Sequence, residues 1–380
     1  GCGSTAASGG NSGNNSAGTD VTKDKTKDAA DKTKKAPEIE GLTYESTMDL
    51  TYATEFDVYY YKDGYKLIDV HEDKQYLIVP EGEEEPENLA DDIVVIQQPT
   101  ENIYMAATAS MSLFDAIGGI DKVKFSGLEA SGWYVESAKE AMESGAMTFA
   151  GKYSEPDYET LVDGDCDLAI ESTMILHTPK VQEMIEDLGI PVFVDYSSYE
   201  SHPLGRTEWI KLYGAMMNKE EEAKTFFDQQ AQVIEKLKDF TNTEKTVAFF
   251  YINTSGSPVV RNPKDYISSM IEIAGGRNVF ADLQDDSGKT SVAITMEEFY
   301  NQAVNADYLI YNASIDSPID QLLAKDSLLA DFKAVKEGNV WVTDDSMYQH
   351  TDTIGELITD LNLMLTGGSE EDMTFLHKLS

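Results

Sequence analysis

EPDYETLVDGDCDLAIES, residues Glu155 to Ser172, and TMEEFYNQAVNADYLIYNAS, residues Thr295 to Ser314, share one plan. Each sets a carboxylate on a short helical stretch, then an Asp (Asp167, Asp307), then an apolar run of the kind that forms a buried parallel strand. One such segment is common, whereas two of them predict two similar lobes. Glu159 and Glu297 then stand at equivalent positions of a bilobal molecule, an arrangement suited to docking rather than catalysis.

A length of 380 residues suits two domains of ordinary size, and 41% hydrophobic content with 10% aromatics provides for sizeable cores. No apolar run reaches the roughly 18 residues that a membrane-spanning helix needs. The 69 acidic residues outnumber 29 basic ones, and the resulting charge of -40 repels nucleic-acid phosphates and anionic headgroups. The two cysteines have different settings. Cys166 lies at the start of an apolar strand and reads as a small buried residue, whereas Cys2 heads a Gly-, Ser- and Asn-rich leader followed by a Lys/Asp stretch through Lys35. That composition does not bury enough surface to offset ordering entropy and reads as a tether. Gly1-Cys2 resembles the junction of a bacterial lipoprotein, where a small residue precedes the Cys that becomes the lipid-modified terminus. The alternative is an incidental Cys.

With residues 1–41 as leader and linker, residues 42–218 read as a first α/β lobe. From Tyr44 to Pro80 the chain alternates as a strand meander, with Asp63-Gly64 predicting a two-residue hairpin turn. EGEEEPE (Glu81 to Glu87) is a charged loop, DIVVIQQ a buried strand, and Asn102 to Gly119 a helix. KVKFSG, DLAIES, a helix ending at Leu188-Gly189 and IPVFVDYS continue as β-α-β units, hence a mainly parallel sheet. Two further helical segments meet at Asn218, whose side chain with Glu221 predicts a capping box. Residues 219–240 carry an apolar stripe of Ala223, Phe226, Phe227, Gln230, Ile234 and Leu237, a spine helix about 30 Å long. Residues 241–380 rebuild an α/β lobe from KTVAFFYIN, a helix over Tyr266 to Ala274 stopped by Gly275-Gly276, DYLIYNAS, NVWVTDD and a last helix from Thr353 to Leu365.

LGIPVFVDYSSYESHPLGRTEWIKLYGAMMNKEEEAKTFF, the two Glu segments and SMIEIAGGRNVFADL resemble the iron-complex and cobalamin class of substrate-binding proteins of ABC importers, over most of Ile93 to Lys378. The resemblance implies two α/β lobes with mainly parallel sheets, bridged by one long helix around a ligand cleft. It also implies a monomer anchored through its lipid to the outer face of a bacterial cell membrane, which hands its ligand to an ABC permease and its ATPase, with no enzymatic activity and no resident cofactor or metal. Glu159 and Glu297 match the residues that dock onto permease arginines. Glu159 precedes Asp167 by eight residues and Glu297 precedes Asp307 by ten, so Glu298 competes for the second position. The Tyr44 to Glu87 meander lies beyond the family pattern.

Other motifs carry less. DDSGKT (Asp285 to Thr290) ends like a phosphate-binding loop but has Leu283 in place of its first Gly. DGDCDL begins like a calcium loop but has Leu168 at the turn Gly and Met174 at the closing ligand. No GxSxG or HExxH occurs, and the five His residues are scattered.

Open α/β sheets bind ligands at strand ends. The first lobe offers Trp133, Tyr153, Tyr196 and Arg206 there, and the second Tyr251, Arg261, Tyr348 and His350. Each aromatic could equally pack, and Arg206 could brace the helix that follows it. With Arg277, Arg206 and Arg261 are the only arginines, so one near each predicted half of a cleft is a notable use of a scarce residue. Two Arg among aromatics fit a large, flat, partly anionic ligand: a ferric chelate, haem or a corrinoid. The alternatives are a zinc or manganese carrier, for which only His202 and His350 could face a cleft, and an enzyme using the cleft.

Overall fold

Alternating apolar and polar side chains at the start of the chain build four antiparallel strands, β1 (Tyr44–Thr47), β2 (Phe56–Tyr61), β3 (Lys66–Val70) and β4 (Gln75–Val79). The computed structural model describes residues 35–315 and 318–380, so Cys2 and the leader lie outside the described residues. Four residues, Lys62 to Tyr65, separate β2 from β3 instead of the expected two; Asp63 (φ 69°) and Gly64 (φ 88°) supply left-handed backbone there. β5 (Ile93–Gln97) pairs parallel to β4 in this same sheet, not in the following one as expected. Its apolar pattern specifies a strand but not a distant partner. One face of the sheet packs Tyr59, Tyr61, Leu67 and Leu77, and the other sets Phe56 against Trp209 and Tyr76 against Phe193, with ring centroids 5.0 and 4.7 Å apart.

Two buried carboxylates hold the segment between β1 and β2. Glu208 accepts from the amides of Thr51, Tyr52 and Ala53, and Glu200 from those of Thr54 and Glu55, at 2.7–3.1 Å. Five successive N–H groups are thereby satisfied, and those of the buried Ala53 and Glu55 would cost free energy if left unpaired.

The next strand is β6 (Ile103–Met105), followed by a short α1 (Met111–Ala116), where a single helix from Asn102 was expected. Ile103, Tyr104 and Met105 are fully buried because β6 is the middle strand of a five-stranded sheet, paired on both sides. The remaining elements are β7 (Val123–Ser126), α2 (Glu136–Glu143), β8 (Thr148–Phe149), α3 (Tyr158–Asp163), β9 (Leu168–Ser172), α4 (Pro179–Asp187) and β10 (Val192–Asp195). All pairings in this sheet, of order β10-β9-β6-β7-β8, are parallel.

α5 (Pro203–Met216) and α6 (Glu220–Leu237) meet at Asn218, which is left-handed (φ 58°). Its side chain does not form the expected capping box. Asn218 Oδ1 instead accepts from Lys66 Nζ at 2.6 Å and Gln98 Nε2 at 3.1 Å, because those two groups reach it from the first sheet. α6 spans about 27 Å at 1.5 Å per residue and buries Ala223 and Phe227 of the predicted stripe. Of the described residues, one compact unit takes 35–200 and 204–228 and the other 201–203 and 229–380, so their boundary falls within α6.

The second unit contains β11 (Thr246–Ile252), β12 (Pro258–Arg261), α7 (Tyr266–Ala274), β13 (Arg277–Asn278), β14 (Ser291–Ala293), α8 (Met296–Ala303), β15 (Tyr308–Tyr311), α9 (Asp320–Leu323), α10 (Lys333–Lys336), β16 (Val340–Val342), α11 (Ser346–Gln349), α12 (Ile354–Leu365) and β17 (His377–Lys378). β11, β15 and β16 run parallel at its centre, with antiparallel strands at both edges. Its core includes Phe250, Phe280, Phe299 and Phe332, in contact at 4.5–5.7 Å between ring centroids. α7 stops where expected: Gly275 is left-handed (φ 103°), and a Cβ there would lie 2.3 Å from the Phe240 ring.

Candidate functional site

The two opening segments fold alike. Asp157 caps α3 by accepting from the amide of Thr160 at 3.1 Å, and Thr295 caps α8 by accepting from that of Glu298 at 3.0 Å. Aligned by these caps, Glu159 and Glu297 are each the second residue of their helix, and both are exposed. Glu298 aligns with Thr160. Asp167 and Asp307 also play one part. Asp167 accepts from the amides of Glu101 (2.9 Å) and Asn102 (3.1 Å) just before β6, and Asp307 accepts from that of Thr246 (2.9 Å), the first residue of β11. In each case the anchored strand is the parallel neighbour of the strand that the Asp precedes.

In the second unit, Tyr251, Arg261 and Tyr348 come together. Tyr251 pairs with Val259, so Arg261, two residues further along β12, lies diagonally across from Tyr251 on the same sheet face. Asp265, fully buried, takes Arg261 Nε at 2.8 Å and also caps α7 through the Ile267 amide. The Arg261 guanidinium carbon lies 5.9 Å from the Tyr266 ring centroid. Among the described residues its two terminal nitrogens make no hydrogen bond, and neither does the Tyr251 hydroxyl. Tyr348 donates to Asn312 Oδ1 at 2.6 Å. Burial raises the phenol pKa values of Tyr251 and Tyr348 and keeps both as neutral donors. Burial, with Asp344 beside it, pushes the Asp345 carboxyl up to about 6. His350 is turned toward Asp352, Nδ1 to Oδ1 3.6 Å, with its ring 5.8 Å from that of Phe375.

The first-unit candidates do not form such a group. Trp133 is 3% exposed and donates its indole N–H to Ser126 Oγ at 2.9 Å. Tyr196 is buried, edge-on to Tyr199 at 5.0 Å. Arg206 directs Nη2 to the carbonyl of Ser198 (2.8 Å) and Nε to that of Glu200 (3.4 Å), as a brace at the start of α5. Tyr153 is partly exposed, with burial raising its phenol pKa against the pull of Lys152. Burial pushes the His202 imidazole down to about 4.

Sequence reasoning missed two residues. Glu171, on β9, is fully buried with both carboxylate oxygens unpartnered, and burial pushes its pKa well above the usual carboxylate range. The signal was an acid inside an otherwise apolar strand. Asn312, directly after β15, is 5% exposed and donates to the Thr343 carbonyl at 3.1 Å. Its signal was an amide at the end of a buried parallel strand. Among the described residues no group of three or more His, Cys, Asp or Glu is placed to hold a metal ion.

The periplasmic binding protein family matches residues 106–347, which excludes the first sheet and includes both Glu segments. An uncharacterized lipoprotein of Methanocaldococcus jannaschii is 27% identical over 294 residues, covering 73% of this chain and 67% of the relative. Among solved structures, the periplasmic haem binding protein of Vibrio cholerae superposes with a TM-score of 0.58 at 16% identity, over 70% of this chain and 99% of that one. A protein of an ABC-type Fe3+-hydroxamate transport system from Saccharomonospora viridis superposes with a TM-score of 0.54 at 16% identity, over 71% of this chain and 94% of its own. With a match across more than half of its length and the two-lobe α/β fold of those structures, this chain belongs to the periplasmic binding protein family.

Proposed function

We propose that this protein is the extracytoplasmic solute-binding component of an ABC importer, held to the membrane through a lipid on Cys2, which captures an iron chelate, haem or a corrinoid and delivers it to the permease. The observation that carries this reading is the repeated segment: one capped helix per unit with an exposed Glu at its second position, on a chain of the periplasmic binding protein family. Carriers in this fold bind haem in the Vibrio cholerae protein and serve Fe3+-hydroxamate transport in the Saccharomonospora viridis one, which supports a metal complex as cargo. The lipoprotein name of the archaeal relative supports the anchor. Glu159 and Glu297 are the docking residues, and Tyr251, Arg261 and Tyr348 meet the ligand, with Tyr153 and His350 as outer candidates.

Uptake tests the reading. Cells with the cognate permease should accumulate radioiron given as a chelate, or radiocobalt given as a corrinoid, only when this chain is present. Cys2→Ser in the full precursor should move the protein from the membrane fraction to the soluble fraction. Uptake that is indifferent to the chain would remove the carrier role, and a variant that stays with the membrane would remove the anchor. Metal analysis of purified protein separates this reading from a zinc or manganese carrier, and turnover assays separate it from an enzyme.

A further inference from the structure

The charge around Arg261 narrows the cargo, given the carrier function proposed above. Arg261 and Tyr251 offer unspent donors on one sheet face, from diagonal positions of the β11–β12 ladder whose backbones are about 7–8 Å apart. They suit a ligand with several oxygen acceptors. The positive charge of Arg261, however, is already matched by Asp265 at 2.8 Å, whose carboxylate is fully buried. Among the described residues, the charged groups that act on Tyr251 and Tyr348 besides Arg261 and its partner Asp265 are acidic: Asp345 acts on both phenols, and Asp344 stands next to it. Arg206, the other arginine that could have supplied charge to a ligand, points at two backbone carbonyls within its own unit. Among these groups donors are present, but a surplus of positive charge is not, and an anion brought here would meet like charge in surroundings where Coulomb forces are weakly screened.

We infer that the cargo is a metal complex without net negative charge, whose rim oxygens accept from Arg261 and Tyr251. A polyanionic chelate is the wrong partner for this cluster.

The full-length protein, titrated by calorimetry with a neutral ferric trihydroxamate and with a trianionic ferric tricatecholate, tests this directly. The trihydroxamate should bind at least tenfold more tightly. Arg261→Gln should weaken its binding at least tenfold. Asp345→Asn, which removes a charge without touching the cap of α7 or the Arg261 pair, should improve tricatecholate binding severalfold and leave the trihydroxamate nearly unchanged. Equal or tighter binding of the tricatecholate would overturn the inference and leave the metal-complex carrier standing. Failure of both chelates, of haemin and of cyanocobalamin to bind would overturn the carrier reading as well.

Discussion

The segment around α3 and the segment around α8 reach the same arrangement with different spacing. The two additional residues between Glu297 and Asp307 lie within the helix, since α3 has six residues and α8 eight, and in both segments the Asp follows the helix end by four. The helix start therefore sets which glutamates correspond, and counting back from the Asp does not. The anchors differ too. Asp167 accepts from two backbone amides, whereas Asp307 accepts from the Thr246 amide and hydroxyl and from Lys333 Nζ at 2.8 Å. In one unit the Asp is held by backbone amides alone, in the other a salt bridge is added.

The largest expected effect is on transport. Like charges placed against each other at an interface cost several kcal/mol, so Glu159→Lys or Glu297→Lys should each impair uptake and the double variant should abolish it. Both glutamates are exposed, so thermal midpoint and ligand affinity should hardly change. Glu298→Lys should leave uptake near normal, and an equal loss at Glu298 would break the correspondence set by the caps. Normal uptake by the double variant would end the docking role.

The anchors come next. Asp307→Ala strands the Thr246 amide and Lys333, and Asp167→Ala strands two amides, so each should cost about 1–2 kcal/mol in chemical denaturation, at the low end for partly exposed charged hydrogen bonds. The cost at Asp307 should respond to salt more than that at Asp167, because only Asp307 has a cationic partner. Identical salt responses would contradict the distinction between the two anchors.

The smallest effect is a pH dependence. Burial acts to raise the pKa of Asp307, but the Lys333 and Thr246 hydrogen bonds outweigh it and hold the carboxyl below its usual range. A depressed folded value gives stability that is present above the unfolded pKa of about 4 and is lost as pH falls through the folded value. Lys333→Met should thus lower the thermal midpoint slightly at neutral pH, and the gap to the parent should close on acidification. A gap that stayed constant from neutral to strongly acidic pH would show that Lys333 acts by packing.

Much of the fold was legible locally. The parallel strands β9, β10, β11, β15 and β16 are short apolar runs, and α7 and α12 have clear periodicity and end signals, so their positions followed from sequence. Misreadings arose where a distant partner decides. Asn218 looks like a cap until Lys66 and Gln98 arrive from the first sheet, β5 does not carry the identity of its neighbour, and Ile103–Met105 is a strand because two others flank it. The candidate site divides in the same way. Tyr251, Arg261 and Tyr348 are an unusual set of large polar side chains beside apolar strands and do converge, whereas Trp133 and Tyr196 were chosen for the same reason and are buried in packing. Aromatic identity does not separate the two outcomes.

Whether this chain carries a metal complex can be read from the native mass spectrum of the protein drawn from its source cells. The expected spectrum has a mass excess over the acylated polypeptide equal to one metal chelate or tetrapyrrole, lost on denaturation. An excess equal to a single bare zinc or manganese ion, or to an organic solute without metal, would contradict it.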